Sequence, residues 1–168
     1  MKLNVLKPTQ EKLDRYIFRE HNTNRNQTRE NRTIALFVEW IELYNLTKDH
    51  KYWSKSIPNR NKILEEYVDC IHFCLSLAYD YEIDLTYTTK SKTKRYKPKS
   101  LNQHYKTLIE LHSNTLLNPT KTTYKNFISH IVNLGRFFNF TEEEVINAYM
   151  EKNKINYERQ KENYWYEK

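Results

Sequence analysis

The sequence predicts an all-α fold, and three observations carry that prediction. A single glycine and four prolines in 168 residues leave little material for the tight turns of β-hairpins. Leu, Ile, Glu and Lys recur at three- and four-residue steps over long stretches, the period of an amphipathic helix. Polar stretches separate those segments, and a 168-residue chain is the size of one domain, taken as 1–168. About six helices are expected, arranged as a bundle.

The first helix is expected over 8–20, where Pro8 and Thr9 suit a helix entry and Leu13, Tyr16 and Ile17 form one stripe. The polar stretch 21–31, rich in Asn, Thr and Arg, reads as a flexible loop. From Thr33 to about Leu46, Ile34, Phe37, Val38, Ile41 and Tyr44 define an apolar face, with carboxylates on the other side. After a linker around Lys51, Trp53 and Pro58, the segment 61–80 places Ile63, Tyr67, Cys70, Ile71, Cys74 and Ala78 on one side. Leu64, Val68 and Leu75 widen that stripe, which predicts a central helix. The Thr-, Lys- and Arg-dense segment 84–100, with Pro98 blocking a helix, reads as an exposed basic loop. Helices are expected again over 101–117, 122–138 and 141 to about 164, the last opened by a Thr141/Glu144 capping box.

The N-terminus has no apolar run of signal-sequence type, and no stretch reaches the roughly 18 apolar residues of a membrane span. A cytoplasmic protein is expected. Cys70 and Cys74, four apart in an apolar run, read as small buried hydrophobes, with His72 pointing elsewhere on the same helix. A net charge of +7 favours an anionic partner without choosing among nucleic acid, nucleotide and acidic protein.

Chemistry enters with the acids. Glu39 and Glu42 stand three apart on the second helix, and Glu66 and Asp69 repeat that spacing on the third, beside Glu65. Like charges so placed repel, and they interrupt otherwise apolar segments. Two such helices packed antiparallel would converge four carboxylates into a shell for a hard cation such as magnesium. Taken singly, each pair also reads as an ordinary solvated helix face.

Three blocks of the chain resemble the dimeric, all-α dUTPase family encoded by many phages, within the all-α nucleoside triphosphate pyrophosphatases. They are EWIELYN at 39–45 with KYW at 51–53, LEEYVDCIHFCLSL at 64–77, and AYMEKNKINYERQKENY at 148–164, preceded by QEKLD at 10–14. The resemblance implies a homodimer in which Glu39, Glu42, Glu66 and Asp69 hold two or more Mg2+ ions. It further implies that Lys152, Asn156 and Arg159, spaced by four and three, bind phosphate oxygens. Gln10, Asp14 and Phe73 fall where the family contacts uracil, and Lys51 and Trp53 where the site closes; Trp53 equally suits a core or interface aromatic. The chain departs from the family at Asn163, where glycine is often found.

The implied reaction is cleavage of dUTP, and of dUDP, to dUMP by a magnesium-activated water, which limits uracil in DNA. Glu42 is the first candidate for general base and Glu39 the second. Two other readings stay open: a related pyrophosphatase for another nucleotide such as dCTP, and a basic helical module that binds nucleic acid or a repressor of a mobile genetic island. Nucleic acid is the less expected partner, since a DNA-binding face has no need of two converging acid pairs.

Overall fold

The computed structural model describes residues 2–85 and 100–161. Most of the basic segment, Asn163 and the rest of the C-terminus lie outside the described residues. A short 3₁₀ turn, Leu3–Leu6, leads into six helices: α1 Lys7–Glu20, α2 Arg29–Thr47, α3 Arg60–Asp80, α4 Leu101–Leu117, α5 Lys121–Phe137 and α6 Glu142–Lys161. No strand occurs among the described residues. The all-α expectation holds.

Local chemistry sets the helix starts. The Asn59 side chain accepts from the backbone N–H groups of Asn61 and Lys62 at the head of α3, and Ser100 caps α4 through Gln103 N–H. Thr120 and Thr123 form a reciprocal box at α5. The predicted box at α6 is present: Thr141 N–H donates to Glu144 Oε2 at 2.8 Å and Glu144 N–H to Thr141 Oγ1 at 3.1 Å. Arg60 also donates to the Glu144 carboxylate, and together with the box it holds that carboxyl down at about 2. With no glycine to end α2, Lys48 takes the left-handed conformation at φ 60°.

α3 is the centre of the core, as its widened stripe predicts. Tyr67, Cys70, Ile71, Cys74, Leu75, Leu77 and Ala78 are fully buried, both cysteines are free thiols, and the Tyr67 hydroxyl donates to the Val132 carbonyl at 3.0 Å. α1, α2, α5 and α6 pack around it. α4 runs antiparallel along the flank of α2, marked by ring contacts of Phe37 with His112 at 4.1 Å and Trp40 with Tyr105 at 5.1 Å.

Two expectations need correction. α2 begins at Arg29, one turn before Thr33. That polar first turn is held by tertiary ion pairs from Arg29 and Arg32 to Asp80, which no local periodicity reveals. The face of α2 that turns inward is Leu36, Trp40 and Leu43, while Ile34, Val38 and Ile41 are 46%, 45% and 40% exposed. α2 is apolar on nearly two sides, so period alone could not say which side α3 would cover.

Candidate metal and nucleotide site

The antiparallel α2–α3 pair aligns chemistry in register. Glu42 meets Glu66, Glu39 meets Asp69, and Arg32 meets Ser76, because steps of three and seven along one helix match the same steps back along the other. At one end, carboxylate oxygens of Glu39, Glu42 and Glu66 all lie within 4.8 Å of one another. Asp69 adjoins them and accepts from the Lys152 ammonium of α6 at 2.7 Å, while Glu65 Oε1 lies 3.7 Å from the same nitrogen.

This cluster carries more negative charge than Lys152 can balance. Burial, followed by repulsion from Asp69, Glu42 and Glu66, pushes the Glu39 carboxyl up to about 7. Burial and neighbouring acids also raise Glu66, and burial raises Asp69 against the pull of Lys152. Hard oxygen donors crowded together without counter-charge are a fitting set for divalent magnesium.

From the acids a cavity of about 490 Å³ runs between α1, α2, α3 and α6. Glu39, Asp69, Lys152, Asn156 and Arg159 line it, and so do Gln10, Asp14 and Phe73. Eight of the residues singled out from the sequence therefore share one wall or another of a single space. Glu42 and Glu66 belong to the carboxylate cluster but do not line the cavity. Lys51 and Trp53 do not line it either; Trp53 is 65% exposed, packs edge-on against Tyr52 at 5.0 Å, and is no core aromatic.

The far end of the cavity is built differently. Asp14 Oδ1 accepts from Gln10 Nε2 at 2.8 Å, and Asp14 Oδ2 accepts from Ser76 Oγ at 2.6 Å and Arg25 Nη2 at 3.1 Å. Burial raises this carboxyl, and those donors oppose the rise. Gln10 Oε1 accepts from the Tyr149 hydroxyl at 2.9 Å and lies 2.8 Å from His72 Nδ1. His72 stacks on Tyr149 at 4.2 Å, and burial, then Lys152, lowers it to about 3, so the ring is neutral at physiological pH. Its Nδ1–H is therefore the donor to Gln10. Behind Asp14, Arg25 and Arg32 converge on Asp80, whose side chain is fully buried.

Sequence reasoning missed His72, Ser76, Arg25, Arg32 and Asp80 as parts of this site. His72 was read only as a residue facing away from the thiols, and it does face away, onto α1 and α6. For the arginines a signal existed: Arg25, Arg29 and Arg32 recur at four and three, the first two in the expected loop 21–31 and the third just beyond it. Their common partner lies 48 residues or more along the chain.

A family model described as dUTPase matches residues 2–164. No curated protein matches the sequence significantly. The match spans the carboxylate cluster, the α6 residues that line the cavity and its far end: the chain belongs to the all-α dUTPase family and is a dUTP diphosphatase.

Proposed function

We propose that one domain of this chain cleaves dUTP, and also dUDP, to dUMP with magnesium held by Glu39, Glu42, Glu66 and Asp69, limiting uracil in DNA. The observation that carries the reading is the continuity of one cavity from Glu39 and Asp69, past Lys152, Asn156 and Arg159, to Gln10, Asp14 and Phe73. When bound, two or more Mg2+ ions supply charge neutralisation for the phosphates and acidify a water. Lys152 and Arg159 bind the phosphate oxygens and offset the charge that grows on the leaving group, with Asn156 as a neutral donor between them. The general base is Glu42 or Glu39. Its place in the cavity wall, which Glu42 does not share, favours Glu39 as acceptor of the water proton. Phe73 offers a ring face to the base.

A homodimer accompanies this reading. Ile34, Val38 and Ile41 form an outward apolar stripe on α2, beside the face that bears the acids, and a second copy of the chain would cover it. No helix of the described residues is long and apolar enough to cross a membrane, consistent with action on a cytoplasmic nucleotide pool. The basic segment 84–100 is the proposed contact for an added protein partner such as a repressor.

Pyrophosphate release from each deoxynucleoside triphosphate, with and without magnesium, tests the reading against the Glu66→Gln variant. Release from dUTP that needs both the metal and Glu66 is expected. Release from dCTP instead would keep the chemistry and overturn the base assignment; release that ignores magnesium and Glu66 would overturn the metal site.

A further inference from the structure

The base end of the cavity has a supporting chain that reaches well behind it. Gln10 can take only one amide orientation. Its Nε2 must face Asp14, which accepts at both oxygens and donates at neither, and its Oε1 must face the Tyr149 hydroxyl and His72 Nδ1–H. The carbonyl side of the amide is thus doubly occupied, while the second Nε2 hydrogen has no partner among the described residues. Gln10 lines the cavity, and with its amide locked in this way the group it has left to offer a ligand is the second Nε2 hydrogen, a donor. A donor there accepts a base bearing a carbonyl oxygen and opposes one bearing an amino group, the difference between uracil and cytosine at C4.

What holds Asp14 comes from further back. Ser76 can donate to Asp14 because its oxygen accepts from Arg32 Nη1 at 2.8 Å. Arg25 reaches Asp14 with Nη2, and with Nη1 it reaches the Ser76 carbonyl at 3.1 Å and Asp80 Oδ1 at 2.7 Å. Arg32 Nη2 donates to Asp80 Oδ2 at 2.7 Å and to the Arg25 carbonyl at 2.6 Å. Arg29 completes the shell around Asp80 at 3.4 Å. Asp80 touches no cavity space, lying one helical turn beyond Ser76, yet every donor to Asp14 Oδ2 is held in place by it or by a group it holds.

We propose that Asp80 is a positioning residue for base selection: through Arg25 and Arg32 it fixes Asp14 and Ser76, and through them it locks the Gln10 amide as a donor to a base carbonyl. This deepens the dUTP reading and rests on it. It also gives Asp14, each of whose oxygens accepts from a protein donor, a supporting role for Gln10 beside its place in the cavity wall.

The test compares kcat and KM for dUTP and dCTP, with magnesium present, in the native protein, Asp80→Asn, Asp14→Asn and the double variant. A native preference for dUTP is the precondition set by the functional reading; its absence sinks both that reading and this inference. Given that preference, Asp80→Asn is expected to lower the dUTP-to-dCTP ratio of kcat/KM by roughly tenfold or more, mainly through KM for dUTP. The double variant is expected to lose no more selectivity than Asp14→Asn alone, because both act through one amide. Ser76→Ala, a small truncation, supplies the same reading should Asp80→Asn not fold, with a fall in the ratio in the same direction. A ratio within about twofold of native in the folded variant would overturn the proposal, since a merely stabilising network moves the melting temperature and not the selectivity.

Discussion

The cavity has an acidic cluster at each end, and the two are built on opposite principles. Glu39, Glu42, Glu66 and Asp69 crowd together with Lys152 as the principal balancing cation, so burial and mutual repulsion lift Glu39 to about 7. Asp14 and Asp80 are more deeply buried, yet they are surrounded by donors: Arg25, Arg29, Arg32, Ser76 and Gln10. The first arrangement costs stability and, on the proposed function, a divalent cation would satisfy it; the second is satisfied within the chain. Counting counter-charges around a buried acid therefore separates ligands from scaffolding when residue type alone does not.

That contrast can be broken most sharply at Asp80. Asp80→Ala leaves three guanidinium groups around an empty place and is expected to cost about 3–5 kcal/mol in urea unfolding, as for other buried pairs that lose one member. Glu39→Gln should behave in the opposite way in metal-free protein, leaving stability unchanged or raised, because it removes one of the repelling charges. A loss of stability in Glu39→Gln as large as that in Asp80→Ala would erase the distinction.

Activity should fail at the other end. An outer-shell partner of a metal ligand is worth about 10–100-fold, so Glu66→Gln, which alters a proposed ligand itself, is expected to lower kcat/KM for dUTP by at least about 100-fold. Lys152→Gln removes the cation that both pairs with Asp69 and faces the cavity, and a loss of roughly 10²-fold in kcat is expected. An unaltered kcat in Lys152→Gln would confine that lysine to a structural role.

The smallest expected effect is a pH dependence of the metal-free fold. In the folded chain Glu39 keeps its proton up to about 7, whereas unfolded it releases it near the ordinary glutamate value of 4.5. Between those values the folded state binds more protons, so stability falls as pH rises through that window. Buried His72, His104 and His130, lowered to about 3, 4 and 3, contribute in the opposite direction over the same range, so the check is a difference: metal-free native protein should lose stability relative to Glu39→Gln as pH rises from 4.5 to 7.5, and magnesium should reverse that loss. A difference between native protein and Glu39→Gln that does not change with pH would mean that the acids are not under mutual strain.

Several elements were legible because they depend on neighbours in sequence. The capping box of Thr141 and Glu144, the apolar width of α3 and the paired spacing of Glu39/Glu42 with Glu66/Asp69 all follow from a helix's own period. The spacing of Lys152, Asn156 and Arg159 likewise puts all three on one cavity wall. The reading failed where two sides competed. Ile34, Val38 and Ile41 are as apolar as Leu36 and Leu43, and only docking on α3 turned the latter inward.

The sequence by itself determined a helical chain, two acid pairs at one helical step, and a resemblance that points to a dUTPase, because each of these is written in short-range order. Tertiary structure alone decided that Arg25 and Arg29, in the stretch 21–31 expected as a loop, and Arg32 just beyond it would gather on Asp80, and that Asp14 would accept from Gln10, Ser76 and Arg25. The physical reason is that the worth of a buried charge is set by what surrounds it in space. Those surroundings came largely from residues distant in the chain, with Arg25 and Asp80 55 positions apart and Asp69 and Lys152 83.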